Sequence, residues 1–114
     1  MLAAINVIKK VSNFRDALSE LIRFAEYLGM SVMFSEISEY DPNKKIITIR
    51  SRRHLRGKVY DLVHELGHVL SEKYNFGNKK IKDKILFSRN NSFWELEWEY
   101  QASIYGDALL MHLN

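Results

Sequence analysis

The chain has 114 residues, of which 46% are hydrophobic and 27% charged, with a net charge of +3 and no cysteine. Its length and composition predict one soluble globular domain over residues 1–114. The lack of cysteine excludes disulfides, cysteine-ligated zinc ribbons and cysteine catalysis, and it is compatible with a cytoplasmic location. The charge is too small to indicate nucleic-acid binding, and no apolar run approaches the ~20 residues of a membrane span.

The first predicted helix lies near the start of the chain. Residues 1–11 lack the basic leader and the cleavage site of a signal peptide, so they are interpreted as a short helix or strand packed on the core. Ser12 or Asn13 can cap the helix that follows, and Gly29 fits just past its end. Its apolar stripe recurs at helical spacing and consists of Phe14, Leu18, Leu21, Ile22, Ala25 and Leu28.

Two strands are predicted next, joined by a turn. Residues 31–37 alternate between apolar and polar side chains, and the second strand, residues 45–50, is β-branched at positions 46–49. Residues 40–44 between them contain Pro42, which favours a turn. We therefore expect the two strands to form an antiparallel hairpin, the small antiparallel sheet of an α+β domain.

A central helix is predicted from about Leu55 to Lys73 with two distinct faces. The buried face comprises Val59, Leu62, Val63, Leu66, Val69 and Leu70. The polar face has residues three or four apart and comprises Asp61, His64, His68 and Glu72.

The last third of the chain is predicted to end in a long helix. Residues 74–91 begin with a turn, and residues 79–87 form a short helix or a loop. Ser92 and Glu95 match a capping box, which starts a helix from about Phe93 to Met111.

The polar face of the central helix carries an H-E-x-x-H motif, His64 to His68. Residues four apart share a helix face, so His64 and His68 can bind one Zn²⁺ ion. Glu65 is placed to act as the general base that activates a water molecule for peptide hydrolysis. A hydrolytic zinc site needs a third protein ligand. The candidates are Glu95, Glu97, Glu99, Glu72, His54 and His112.

Gly67 lies inside this predicted helix, where glycine costs about 1 kcal/mol relative to alanine. Close approach of another backbone segment, such as the last helix bringing a carboxylate to the metal, would explain it. A glycine without any role is the alternative.

Two stretches resemble the ImmA/IrrE family of zinc metallopeptidases. Residues 60–70 read YDLVHELGHVL, and the family carries HELGH on an apolar helix. Residues 99–111 read EYQASIYGDALLM, and the family pattern is E-x-[EQ]-A-x-x-[FY]-[AG]-x-x-L-L-M. The family usually continues with proline, whereas this chain has His112.

The resemblance implies a minimal zincin-like, gluzincin-type catalytic domain. Several relatives carry an additional sensor domain, which we do not expect in this sequence. The resemblance implies Glu99 as the third ligand, with Glu97 as the next choice; Glu95 is better explained by the capping box. It also implies cleavage of a repressor-like DNA-binding protein in a phage, mobile-element or stress circuit.

Four further residues are candidates for supporting the site or binding substrate: Asp61, Tyr100, Tyr105 and His112. Asp61 could orient a histidine or complement the helix dipole in the first turn. Tyr100 and Tyr105 could stabilise an oxyanion, although core packing is the commoner role of such aromatics. Core packing is also the interpretation of Trp94 and Trp98.

A basic run precedes the central helix and comprises Arg50, Arg52, Arg53, His54, Arg56 and Lys58. One interpretation is a solvated connection. The other is a rim that recruits an acidic substrate, a partner or nucleic acid. The alternatives to a peptidase are accordingly an inactive metal-bearing or basic-surface binding module, or a structural domain without metal.

Overall fold

The computed structural model describes residues 5–74 and 92–114, which form three helices and a small three-stranded sheet. The elements in chain order are α1 (Phe14–Tyr27), β1 (Ser31–Ser35), β2 (Glu39–Asp41), β3 (Ile46–Arg50), α2 (Leu55–Tyr74) and α3 (Ser92–Leu113). The predicted α+β class is confirmed. The turn and the short helix or loop predicted beyond Tyr74 lie outside the described residues.

Helix α1 begins and ends where its sequence signals predict. Of the two predicted capping residues, Asn13 is the one used: its side chain accepts a hydrogen bond of 2.8 Å from the backbone N–H of Asp16. Gly29 follows the helix with φ = 86°, a left-handed conformation that glycine adopts without a steric cost. Leu21 and Phe24 on the inner face are fully buried.

The segment before α1 packs on the core, as predicted, through the buried Ile5 and Ile8. Hydrogen bonds hold it to α1, and in one of them Nη2 of Arg23 donates to the backbone carbonyl of Val7 (2.7 Å). Glu20 pairs with Arg23 and accepts a 3.1 Å hydrogen bond from the backbone N–H of Lys9. The hydrogen bond from Arg23 lowers the pKa of Glu20, although burial opposes that shift.

The sheet has the strand order β1-β3-β2, with β3 in the centre. Strand β1 runs parallel to β3, pairing Ser31 with Ile46, and β2 runs antiparallel to β3, pairing Glu39 with Thr48. The predicted antiparallel pairing of the first and last of these strands is therefore wrong. The reason is the short strand β2, whose Tyr40 belongs to a segment predicted as a turn and which forms the hairpin with β3 instead.

Helix α2 is the central element, because α1, the sheet and α3 all pack against it. Its side chains Leu62, Leu66 and Leu70 are fully buried, and Ile47 and Ile49 of β3 face them from the sheet. None of the helices in the described part of the chain is both long enough and apolar enough to cross a membrane.

Helix α2 starts at the predicted residue because His54 caps it. The Nδ1 atom of His54 accepts a 3.0 Å hydrogen bond from the backbone N–H of Gly57. Such a bond satisfies one of the N–H groups that a helix start leaves without an intrahelical partner. His54, a candidate metal ligand in the sequence, is thus used as a cap.

Candidate metal centre

The polar face of α2 brings three potential metal ligands together. His64, Glu65 and His68 offer ligand atoms that all lie within 4.8 Å of one another, so this group could hold a metal ion. The two imidazole rings are set edge to face, with centroids 4.8 Å apart and planes at 85°. The i, i+4 spacing of the motif produces this geometry directly.

Glu99 of α3 contacts both histidines of this group. Its Oε2 atom lies 2.9 Å from Nε2 of His64, and its Oε1 atom lies 3.3 Å from Nε2 of His68. One carboxylate therefore faces both histidines through the same type of nitrogen. Glu65 comes within 4.8 Å of the histidine nitrogens but forms no such ion pair with them, so Glu99 is the carboxylate aimed at both rings.

The other carboxylate candidates with described side chains have partners elsewhere. Glu97 accepts a 2.9 Å hydrogen bond from Gln101, one turn further along α3. Glu72 accepts a 2.7 Å hydrogen bond from the hydroxyl of Tyr40 on β2, and burial together with this bond raises the pKa of Tyr40. The side chain of Glu95, and with it the predicted capping box, lies outside the described part.

His112 is too far along α3 to join the group. It follows Glu99 by 112 − 99 = 13 residues, which corresponds to about 20 Å of helix. It belongs to the last turn, whose final buried residue is Leu113. A direct role at the metal does not fit this position, and a role of His112 in binding substrate stays a prediction.

Two glycines allow α2 and α3 to approach closely enough for Glu99 to reach the histidines. A Cβ atom on Gly67 would overlap the backbone carbonyl of Ala102, so no side chain fits at position 67. A Cβ atom on Gly106 would lie 3.1 Å from Cγ1 of Val63, one turn back along α2. The predicted reason for Gly67, close approach of the last helix, is confirmed.

The two histidines have different environments. His68 is 3% exposed, and burial, followed by the charge of His64, lowers its pKa to about 4. A neutral imidazole has a free lone pair for a metal. The side chain of His64 is 40% exposed, so the group is accessible from solvent on that side.

Trp98 holds the ring of His68 and was missed as a site residue in the sequence. Its ring stacks on that of His68 with centroids 4.0 Å apart and planes tilted by 34°. The Nδ1 atom of His68 is buried and has no hydrogen-bond partner among the described residues, so on this side of the ring packing takes the place of a hydrogen bond. The position of Trp98 next to Glu99 in the sequence is the one signal that could have indicated its contact with His68.

Glu65 is buried, with 5% of its surface exposed. Burial raises its pKa to about 7, and the charges of Glu99, Asp61 and Glu39 act in the same direction. A carboxyl group with a pKa near neutrality can both take up and release a proton at physiological pH. The environment of Glu65 is thus suited to a general base.

Asp61 has neither of the roles considered for it. Among the described residues it forms no hydrogen bond or ion pair with a histidine, and the first turn of α2 contains no acidic residue. It accepts hydrogen bonds from Nε (3.1 Å) and Nη2 (2.8 Å) of Arg50 on β3, with Nη1 of Arg53 at 3.9 Å. Burial opposes ionisation of Asp61, but the hydrogen bond and charge of Arg50 and the charge of Arg53 outweigh it and lower its pKa.

The two tyrosines of α3 differ in burial. Tyr105 packs against the core, and burial raises its pKa, so the core interpretation is confirmed for this residue. Tyr100 is 60% exposed, so the core interpretation is wrong for it. A role of Tyr100 in binding an oxyanion stays a prediction.

The basic run is only in part a solvated connection. Arg50 and Arg53 turn towards Asp61, and Arg56 lies over the ring of Tyr60 at 5.8 Å. Arg52 is exposed and forms no ion pair within the described part of the chain.

Comparison with protein-family models, curated proteins and solved structures gives no match for this chain. Its relation to a family of peptidases therefore stays at the level of the two motifs quoted above.

Proposed function

We propose that this chain is a zinc-dependent endopeptidase in which His64, His68 and Glu99 bind the metal. The observation that carries the proposal is the Glu99 carboxylate, which faces Nε2 of both histidines at 2.9 and 3.3 Å. Two imidazoles and one carboxylate form a ligand set typical of hydrolytic zinc, which leaves a fourth position for water or substrate. The exposure of His64 is consistent with substrate access to that position.

Zinc, when bound, would polarise the scissile carbonyl and make the attacking water more acidic. Glu65 takes the proton from that water as it attacks the carbonyl carbon, and then gives the proton to the leaving amine. The raised pKa of Glu65 supports both steps, because a carboxylate of ordinary pKa would be a weaker proton acceptor. Trp98 keeps His68 in place while the charge distribution changes.

For the substrate we propose a regulatory, repressor-like DNA-binding protein cleaved in the cytoplasm, in a phage or mobile-element circuit. This part rests on the resemblance of residues 60–70 and 99–111 to the ImmA/IrrE motifs. The packing of Gly67 on Ala102 is consistent with that resemblance, since the two motifs lie on helices that meet at the candidate site.

Replacing Glu65 with glutamine tests the mechanism. Glu65→Gln keeps the size of the side chain but removes the proton acceptor, so cleavage should fall by about 10²–10⁴-fold while bound zinc is retained. A library of peptides from a digested proteome serves as substrate, with new termini counted by mass spectrometry. Glu97→Gln is the matched control and should cleave like the parent. Equal cleavage by Glu65→Gln and the parent would contradict the proposal.

A further inference from the structure

A concave pocket rich in arginine lies where β1 and β3 end. Its lining residues are Ser35, Glu36, Arg50, Arg52 and Arg53. Because β1 and β3 are parallel and pair Ser35 with Arg50, their carboxyl ends meet at this pocket. We call it the arginine pocket.

The arginine pocket carries one positive charge that the described residues do not balance. Its three guanidinium groups face two carboxylates, Glu36 on its wall and Asp61 behind it. Arg52 forms no ion pair in the described part of the chain. The Nε atom of Arg53 is buried against Gly57 of α2, so Arg53 can reach a ligand in the pocket only through its terminal nitrogens.

Two of the three arginines are held in position before any ligand arrives. Arg50 is fixed by two hydrogen bonds to Asp61. Arg53 lies against Gly57 at the start of α2, where a Cβ atom would overlap its guanidinium group. Donors that are already ordered lose little conformational entropy when they bind an anion.

The arginine pocket lies beside the candidate metal centre. Asp61, which holds Arg50, precedes Glu65 by one helical turn, or about 6 Å along α2. The two residues share a face of the helix, and the charge of Asp61 contributes to the raised pKa of Glu65. A peptide bound at the candidate metal centre could therefore extend along this face of α2 towards the arginine pocket.

We propose that the arginine pocket binds the carboxylate of an aspartate or glutamate side chain at one fixed position of the substrate, near the scissile bond. This inference rests on the proposed peptidase function. One unbalanced positive charge suits a single carboxylate, for which the arginine fork offers paired hydrogen bonds. A polyanion such as DNA would also meet Glu36 on the wall and Glu39 near Glu65, and both repel it.

Binding is tested without requiring cleavage. The peptides acetyl-Ala-Glu-Ala-amide and acetyl-Ala-Gln-Ala-amide are titrated into the full-length Glu65→Gln protein, and the side-chain Nε–H signals of Arg50, Arg52 and Arg53 are followed by NMR. The glutamate peptide should shift these signals saturably and bind about three- to tenfold more tightly than the glutamine peptide. Arg52→Glu should abolish the difference.

Arg56→Glu is the control for Arg52→Glu, because it makes the same charge change at an exposed residue of the basic run outside the pocket. It should leave the preference for the glutamate peptide intact. The proposal would be overturned if both peptides bound equally to the protein with an intact pocket. It would also be overturned if Arg52→Glu and Arg56→Glu lost the preference for the glutamate peptide to the same extent. Shifts caused by a short DNA duplex, at physiological salt, in place of the acidic peptide would overturn it as well.

Cleavage profiles separate this inference from the proposed function. The parent should cut the proteome-derived peptides with aspartate or glutamate enriched at one fixed position, and Arg52→Glu should remove that enrichment or replace it with lysine and arginine. Cleavage without any acidic preference leaves the peptidase proposal standing and rejects the arginine pocket. Selective binding of the glutamate peptide, without any cleavage by the parent, would reject the peptidase proposal and leave the arginine pocket standing as a carboxylate-binding site.

Discussion

Single residues around the site do more than bind metal, and Asp61 is the clearest case. Its carboxylate is buried and joins α2 to β3 through Arg50. Asp61→Asn removes the charge from both hydrogen bonds, so the free energy of unfolding should fall by about 2 kcal/mol at neutral pH. Urea denaturation measures the change. The exposed Asp107→Asn is the matched control and should alter stability by less than about 0.5 kcal/mol.

The pH dependence of this effect has a defined sign. The pKa of Asp61 is lower in the folded chain than in the unfolded one, so its stabilisation is fully present above the unfolded value of about 3.9. It is lost as the pH falls through the lower, folded value. The stability difference between the parent and Asp61→Asn should therefore shrink below about pH 4. A constant difference between neutral and strongly acidic solution would show that ionisation of Asp61 is irrelevant.

Trp98 provides an optical signal for the metal centre. Its ring lies 4.0 Å from that of His68, so a cation bound to His68 should change its fluorescence. In a Trp94→Phe background, where Trp98 is the only tryptophan, adding zinc should change the emission until one equivalent is bound. The further substitution His68→Ala should abolish the response. If zinc binds but the emission of Trp98 does not change, the metal lies elsewhere.

Between elements, the contact of α2 with α3 decides whether Glu99 reaches the histidines. Gly67→Ala places a methyl group in the backbone of Ala102, so the helices must separate. The expected loss of stability is about 3 kcal/mol, together with weaker zinc binding. Thermal unfolding and zinc titration measure both effects.

Gly106→Ala is the control at the same interface. Its methyl group would need Val63 to move by only a few tenths of an ångström, and alanine favours a helix by about 1 kcal/mol over glycine. Stability should stay within about 1 kcal/mol of the parent. Similar losses at both glycines would mean that position 67 is not specially constrained.

The helices could be predicted from sequence and the strand pairing could not, for a physical reason. Periodicity and capping are local, so Asn13 and the H-E-x-x-H spacing are informative without tertiary contacts. Alternating β-branched residues look the same beside a parallel or an antiparallel neighbour. The three residues of β2 are too short for periodicity to detect, yet they determine how β1 and β3 pair.

At the candidate site, too, local features could be predicted from the sequence and contacts between elements could not. Gly67 indicated a close helix contact, because glycine inside a helix needs a cause. The choice between Glu97 and Glu99 depends on the rotation of α3, since residues two apart point about 200° apart around a helix. The partner of Asp61 could not be predicted either, because Arg50 lies on another element and meets Asp61 only in the folded chain.

For the whole molecule, a metal held by α2 and α3 should stabilise the fold. Zinc at 100 times its dissociation constant contributes about 2.7 kcal/mol. For a domain of this size that corresponds to a rise of about 10 °C in Tm. Scanning calorimetry with zinc and with a chelator measures it, and His64→Ala is expected to show no rise. An unchanged Tm in the parent would argue for a structural domain without metal.

The zinc content of three purified proteins tests the central claim most directly, namely that His64, His68 and Glu99 form one zinc site. The proteins are equilibrated with a low, buffered concentration of free zinc, and their zinc content is measured by elemental mass spectrometry. The parent and Glu97→Gln should each contain one zinc per chain. Glu99→Gln loses the carboxylate that faces both histidines, so it should retain far less. Full zinc in Glu99→Gln, or its loss in Glu97→Gln instead, would contradict the assignment.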